Sequence, residues 1–217
     1  MDFFDLCINR GYEMFRSSRR LDGHAGQAQQ RLALTMSVLE RINSKHGGQM
    51  SCSVQIGGDP GAIFVIGNFE HLADYEKLRS SIAGDSELQM MMAGGAAMST
   101  SIQDTISRVI VPSGEPKGWV TANAARMHMP RIVEAMTMGV EIAEYVTKLT
   151  GKQVGFSAAI TGDLSRVLWS MFADDLAEVE AIEDQTQNDP GYMELFARTA
   201  GLFVDGSLTA AIHQRYG

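Results

Sequence analysis

The feature that most constrains this chain is an internal repeat. The stretch Ile56–Met98 falls on Ile160–Leu202 without a gap. Ile56 meets Ile160, Gly58 meets Gly162 and Asp59 meets Asp163. Leu72, Ala73 and Glu76 meet Leu176, Ala177 and Glu180, and the register runs on through Asp85 on Asp189, Ala93 on Ala197 and Ala96 on Ala200. Few residues are identical, but the apolar pattern stays in step over a whole structural unit. The repeat is longer than the roughly 20–50 residues of a solenoid unit, so it points to a duplicated domain.

Each copy carries the same succession of elements. Gly11–Leu21 lies on Gly118–His128; the second copy reads as a strand stopped by Pro130, and the first is a strand by analogy, with a helix as its alternative. Residues 1–10 read equally as a short helix or a packed arm. Ala28–Lys45 has near-helical apolar spacing and a glycine stop at Gly47-Gly48, and its counterpart runs from about Arg131 to Leu149, opened by Pro130 and ended by Gly151. Strands follow at Met50–Ile56 and Ala62–Phe69, and at Val154–Ile160 and Val167–Ala173. Helices start at Leu72 and Leu176 and are re-capped near Asp85 and Asp189, the second continuing toward Phe203. Final strands are Thr105–Pro112 and Ser207–Tyr216. The order is β-α-β-β-α-β twice, the ferredoxin-like succession. We therefore expect an α+β chain of two ferredoxin-like repeats, residues 1–112 and 119–217, joined by a linker at 113–118. Their antiparallel sheets would pack into an intramolecular α+β barrel, because a lone unit leaves one sheet face bare.

A chain of 217 residues with 45% hydrophobic and 20% charged residues can bury a core. Its net charge of −8 argues against a nucleic-acid surface, which is normally basic. The Arg16, Arg19, Arg20 cluster is too small to change this; it reads as local structure or an anionic-ligand contact. Cys7 and Cys52 have no metal-ligand spacing and no disulfide framework. No secretory leader and no apolar run of about 18 residues is visible, so a cytoplasmic protein without membrane contact is expected.

FADDLAEVEAIEDQTQNDPGYMELFARTAGLFVDGS (Phe172–Ser207) resembles the dimeric α+β barrel superfamily, in particular its NIPSNAP-like and antibiotic-biosynthesis-monooxygenase-like branches. The shared pattern is an apolar strand, an acidic residue, a helix of the type L-x-x-Y/V-E, a D-P-x-aromatic break and a second helical piece. NFEHLADYEKLRSSIAGDSELQMMMAG (Asn68–Gly94) is similar, with Asp85-Ser86 in place of Asp-Pro. In such families two subunits pair their sheets; here the tandem copies would do so within one chain, and a homo-oligomer remains compatible. The resemblance implies a range of activities: cofactor-free oxygenases, haem-degrading enzymes, isomerases and proteins without known chemistry. It leaves the cofactor undetermined, with haem as one candidate.

Candidate functional residues lie mainly in the second half. Alternation puts Val120, Ala122, Ala124, Arg126 and His128 on one strand face, where small alanines leave room beside Arg126 and His128. Arg126 would hold a carboxylate or enolate and His128 would move a proton; the structural alternative is a strand-end pair reaching solvent. His213 is a third catalytic candidate, as a base or, by the resemblance, a haem ligand; otherwise it is an edge histidine. Trp169, Phe172, Met127 and Tyr216 are the candidate ligand-pocket residues. His24, His46 and His71 read as surface polar groups, and no histidine spacing suggests a metal site. There is no phosphate loop and no nucleophile elbow. The expected function is small-molecule binding, by a cofactor-free or haem-linked oxygenase or isomerase acting on an apolar, oxygen-bearing substrate. The alternative is a ligand-binding or assembly protein without chemistry.

Overall fold

The computed structural model describes residues 14–57, 59 and 61–216. The expectations for residues 1–13, including Cys7, and for Gly58 lie outside these. The elements are β1 (Met14–Asp22), α1 (Ala28–His46), β2 (Met50–Gln55), β3 (Ile63–Phe69), α2 (Leu72–Ala83), α3 (Ser86–Ala97) and β4 (Ser101–Val111). The second copy has β5 (Trp119–Arg126), α4 (Ile132–Thr150), β6 (Gly155–Ala159), β7 (Arg166–Ala173), α5 (Leu176–Gln187), α6 (Pro190–Ala197) and β8 (Thr209–Tyr216). The strands hydrogen-bond in the order β1-β3-β2-β8-β5-β7-β6-β4 as a closed barrel. Within it each copy keeps the ferredoxin-like order, β4-β1-β3-β2 and β8-β5-β7-β6.

The same local chemistry ends and starts the paired helices. Gly47 and Gly151 sit in the left-handed region after α1 and α4, with φ of 67° and 70°, the conformation that favours glycine. Asp85 caps α3 by accepting from the Leu88 N–H at 3.1 Å, and Asp189 caps α6 by accepting from the Tyr192 N–H at 2.7 Å. Several boundaries differ from the sequence expectation; β4 begins at Ser101 rather than Thr105, and β8 at Thr209 rather than Ser207. β5 ends at Arg126, and Met129–Arg131 forms a 3-10 turn holding Pro130, so α4 opens at Ile132. The last helix stops at Ala197, because Phe203 is drawn into a bridge with Met127.

The described residues divide into two compact units, 14–107 with 213–216, and 108–212. In the first, α1 packs on one sheet face through Leu39, Cys52 and Ile63, with Met36, Val65 and Tyr216 around them. Its buried stripe is Arg31, Thr35, Leu39 and Ile42. Arg31 is only 2% exposed and donates to the carbonyls of Leu21 (3.1 Å) and Gly61 (2.9 Å), tying α1 to the end of β1 and to the β2–β3 turn. Asp85 is buried at the junction of α1, α2 and α3, where Arg41, Lys45 and His46 all reach its carboxylate. The Arg41 and Lys45 hydrogen bonds hold its pKa far below the ordinary carboxylate range.

The second unit has the larger core. Ala135, Met136, Val140 and Ala143 of α4 press onto Phe156, Val167 and Trp169 of the sheet. Gly139 makes this approach close: a Cβ there would sit 2.2 Å from the Phe156 ring. The helix backbone thereby comes within reach of Trp169, whose indole Nε1–H donates to the Gly139 carbonyl at 2.8 Å.

Candidate ligand pocket

Within the second unit, a cavity of about 520 Å³ opens between β5, β7 and the helices. Strand alternation builds its floor. Thr121 lies opposite Met171, Asn123 opposite Trp169 and Ala125 opposite Val167, so Thr121, Asn123, Ala125, Trp169 and Met171 share the face that α4 covers. Ile142 and Val146 of α4 and Ile182 of α5 form apolar walls. Tyr192, Met193 and Phe196 of α6, with Phe203, Val204 and Leu208 of the following loop, complete the enclosure. Glu183, Met193, Phe196 and Leu208 are exposed where they border the cavity, so the mouth lies along them.

The pocket is aromatic. The Trp169 ring is tilted against Phe156 at 5.2 Å and meets Phe203 edge-on at 5.7 Å. Tyr192 and Phe196 are stacked at 6.1 Å. Tyr192 is placed by the Asp189 cap, which also accepts from the Tyr145 hydroxyl at 2.7 Å. Burial, and then the nearby Glu183 charge, raise the pKa of the Tyr192 phenol, so it remains a protonated donor. The side chains of Thr121 and Asn123 and the Tyr192 hydroxyl have no hydrogen-bond partner among the described residues. Asn123 and Tyr192 are half-buried and Thr121 is buried in the lining, so these three are open to a ligand or water.

The sequence-derived candidates fall in different places. Trp169 lines the cavity. Met127 is 2% exposed in the core beneath it. Phe172 lies opposite Val120, on the sheet face away from α4. Arg126 shares that other face and pairs with Asp163 Oδ2 at 2.9 Å. The Asp163 carboxyl is itself held below its usual range, first by the Ser165 hydroxyl. His128 is exposed. The backbones of these two residues nevertheless shape the pocket: Arg126 O accepts from Val204 N at 2.7 Å, His128 N donates to Leu202 O at 2.9 Å, and Arg126 N donates to Ser207 Oγ at 3.0 Å. They hold the loop that forms one wall.

His213 and Tyr216 belong to the other unit, where Gln55 lies opposite His213 and Cys52 opposite Tyr216. His213 is 5% exposed, lies edge-on to Phe64 at 4.8 Å and has Ser53 Oγ 3.5 Å from its Nδ1. Burial, and then the Arg20 charge, push it down to about 4, so it is neutral at physiological pH. Asn123, Thr121 and Tyr192 were not anticipated from sequence: single polar residues in a strand or helix read as solvent-facing.

Haem fits this lining poorly: no histidine, lysine or arginine lines the cavity and its charged residues are Glu183 and Asp205, so the propionates would meet carboxylates rather than cations, with Tyr192 or a methionine as the available axial donors. Among the described residues no group of His, Cys, Asp and Glu could hold a metal ion, and no helix is long and apolar enough to cross a membrane.

No family model matches the chain, and no curated relative does. Solved structures do. An anthrone oxidase-like protein superposes with a TM-score of 0.70 at 15% identity, covering 94% of this chain and 92% of its own. A proposed monooxygenase from Lactobacillus acidophilus gives 0.68 at 10% identity, covering 94% of both chains. A proposed chlorite dismutase, TA0507, gives 0.52 at 11% identity, covering 94% of this chain and 95% of its own. At such identities the likeness is one of fold. The chain shares the α+β fold of these structures, with two ferredoxin-like units in one polypeptide.

Proposed function

We propose that the unit formed by residues 108–212 binds an apolar ring compound bearing an oxygen function, and that the chemistry done on it is of the oxygenase type. One observation carries the reading: in a cavity walled by Trp169, Phe203 and aliphatic side chains, the Asn123 amide has no partner among the described residues. An amide so placed can both donate to and accept from a ligand oxygen. Thr121 and Tyr192 supply two further hydroxyls. The volume of about 520 Å³ suits a fused-ring compound, within the roughly 300–1,000 Å³ of small-molecule sites. The proposed monooxygenase and the anthrone oxidase-like protein that share the fold support an oxygen-dependent reaction. The pocket contains no histidine or lysine, so a proton would leave the ligand for water or a carboxylate.

Calorimetric titration with anthrone, with dissolved oxygen followed in parallel, tests this. Saturable one-to-one binding, weakened about tenfold by Asn123→Leu, and oxygen uptake at the rate of ligand loss are expected. Binding without oxygen uptake would assign a carrier role instead. Absence of binding by every fused-ring compound tried would remove the proposal.

A further inference from the structure

Resting on the pocket assignment above, we infer that the site also selects its ligand by charge: the mouth formed by Glu183, Tyr192 and Phe196 is a subsite for a positively charged amine on an apolar body. The lining contains two carboxylates, Glu183 and Asp205, and no lysine, arginine or histidine. The arginines nearby in sequence are paired: Arg198 with Glu141 at 2.7 Å, and Arg131 with Glu134, while Arg131 also donates to the carbonyl of Gly201 in the lining at 3.2 Å. Among the described residues Glu183 has only an amide partner, Gln187 Nε2 at 3.2 Å, and its negative charge acts on Tyr192. Tyr192 and Phe196 present stacked rings at the same end. Aromatic faces and a carboxylate both attract a cation, and both effects strengthen as the ligand's body displaces water. An anionic ligand would meet two like charges with no counter-charge in the lining. The floor and the mouth thus recognise different parts of one molecule, oxygen at Asn123 and nitrogen at Glu183.

Three probes with one ring system separate this inference from the pocket assignment: 2-naphthylmethylamine, 2-naphthylmethanol and 2-naphthoic acid, titrated calorimetrically into the whole protein at neutral pH. The amine is expected to bind about tenfold more tightly than the alcohol, and the acid least well. Glu183 is exposed, so Glu183→Gln should fold normally; it is expected to abolish the amine's advantage over the alcohol. If the alcohol binds and the amine binds no better, or if the advantage survives in both Glu183→Gln and Asp205→Asn, charge selection is overturned and the pocket stands. If none of the three binds, both claims fall together.

Discussion

Two buried side chains carry most of what the sequence did not announce. Arg31 occupies a position in α1 where apolar periodicity would place a leucine, and it is 2% exposed without a carboxylate partner. Counting apolar residues cannot find it, because its role depends on two carbonyls brought from Leu21 and Gly61. Replacing it with methionine keeps the volume and strands both acceptors. Arg31→Met should cost on the order of 2 kcal/mol in a denaturant titration; an unchanged midpoint would show that water serves those carbonyls equally well. His213 was legible as an unusual residue but not as a buried neutral one. Its folded value of about 4 lies below the ordinary 6.5, so between those values the unfolded chain binds a proton that the folded chain does not. Stability is therefore complete above pH 6.5 and declines as pH falls toward 4, by about 3 kcal/mol. His213→Gln should flatten that part of the pH–stability curve. An unaltered slope in the variant would assign the acid sensitivity to other groups.

At the level of elements, caps and turns were readable because their chemistry is local. Asp85 and Asp189, and Gly47 and Gly151, do in both copies what their residue types do anywhere. The working face of β5 was not readable. Alternation divides the strand into Thr121, Asn123 and Ala125 on one side and Val120, Ala122 and Ala124 on the other. Both sides carry small residues, so nothing local says which one a helix covers. That is settled by Gly139, whose missing Cβ lets α4 settle onto Phe156 and accept the Trp169 indole proton. Gly139→Ala should push helix and ring apart, costing about 1–3 kcal/mol and loosening Trp169. Thermal unfolding together with the Trp169 emission maximum checks this; a native melting temperature with an unshifted spectrum would mean that the ring simply rotates away. The loop at 199–208 follows the same logic. Its anchors are backbone groups of Arg126 and His128, invisible to a search for reactive side chains.

Across the whole molecule, duplication was the strongest message of the sequence and the closed eight-strand order is its outcome. The division into units is less simple than a cut at the middle. The end of β8, from His213, pairs with β2 and belongs to the unit of residues 14–107. Ending the chain after Ile212 should therefore unpair one edge of β2 and raise amide exchange at Ser51–Gln55, although those residues lie far away in sequence; unchanged exchange there would contradict the pairing. The two copies have diverged unequally. The second holds Trp169, Asn123 and Tyr192 around a cavity, where the first has Val65 in place of the indole. The central claim is that this cavity is a ligand site organised by Asn123. A crystal structure of the protein with anthrone tests it most directly. The account predicts the ring system packed against Trp169 and Phe203 in the cavity, with its oxygen within hydrogen-bonding distance of the Asn123 amide. A ligand bound elsewhere, with the space beside Asn123 closed, would contradict it.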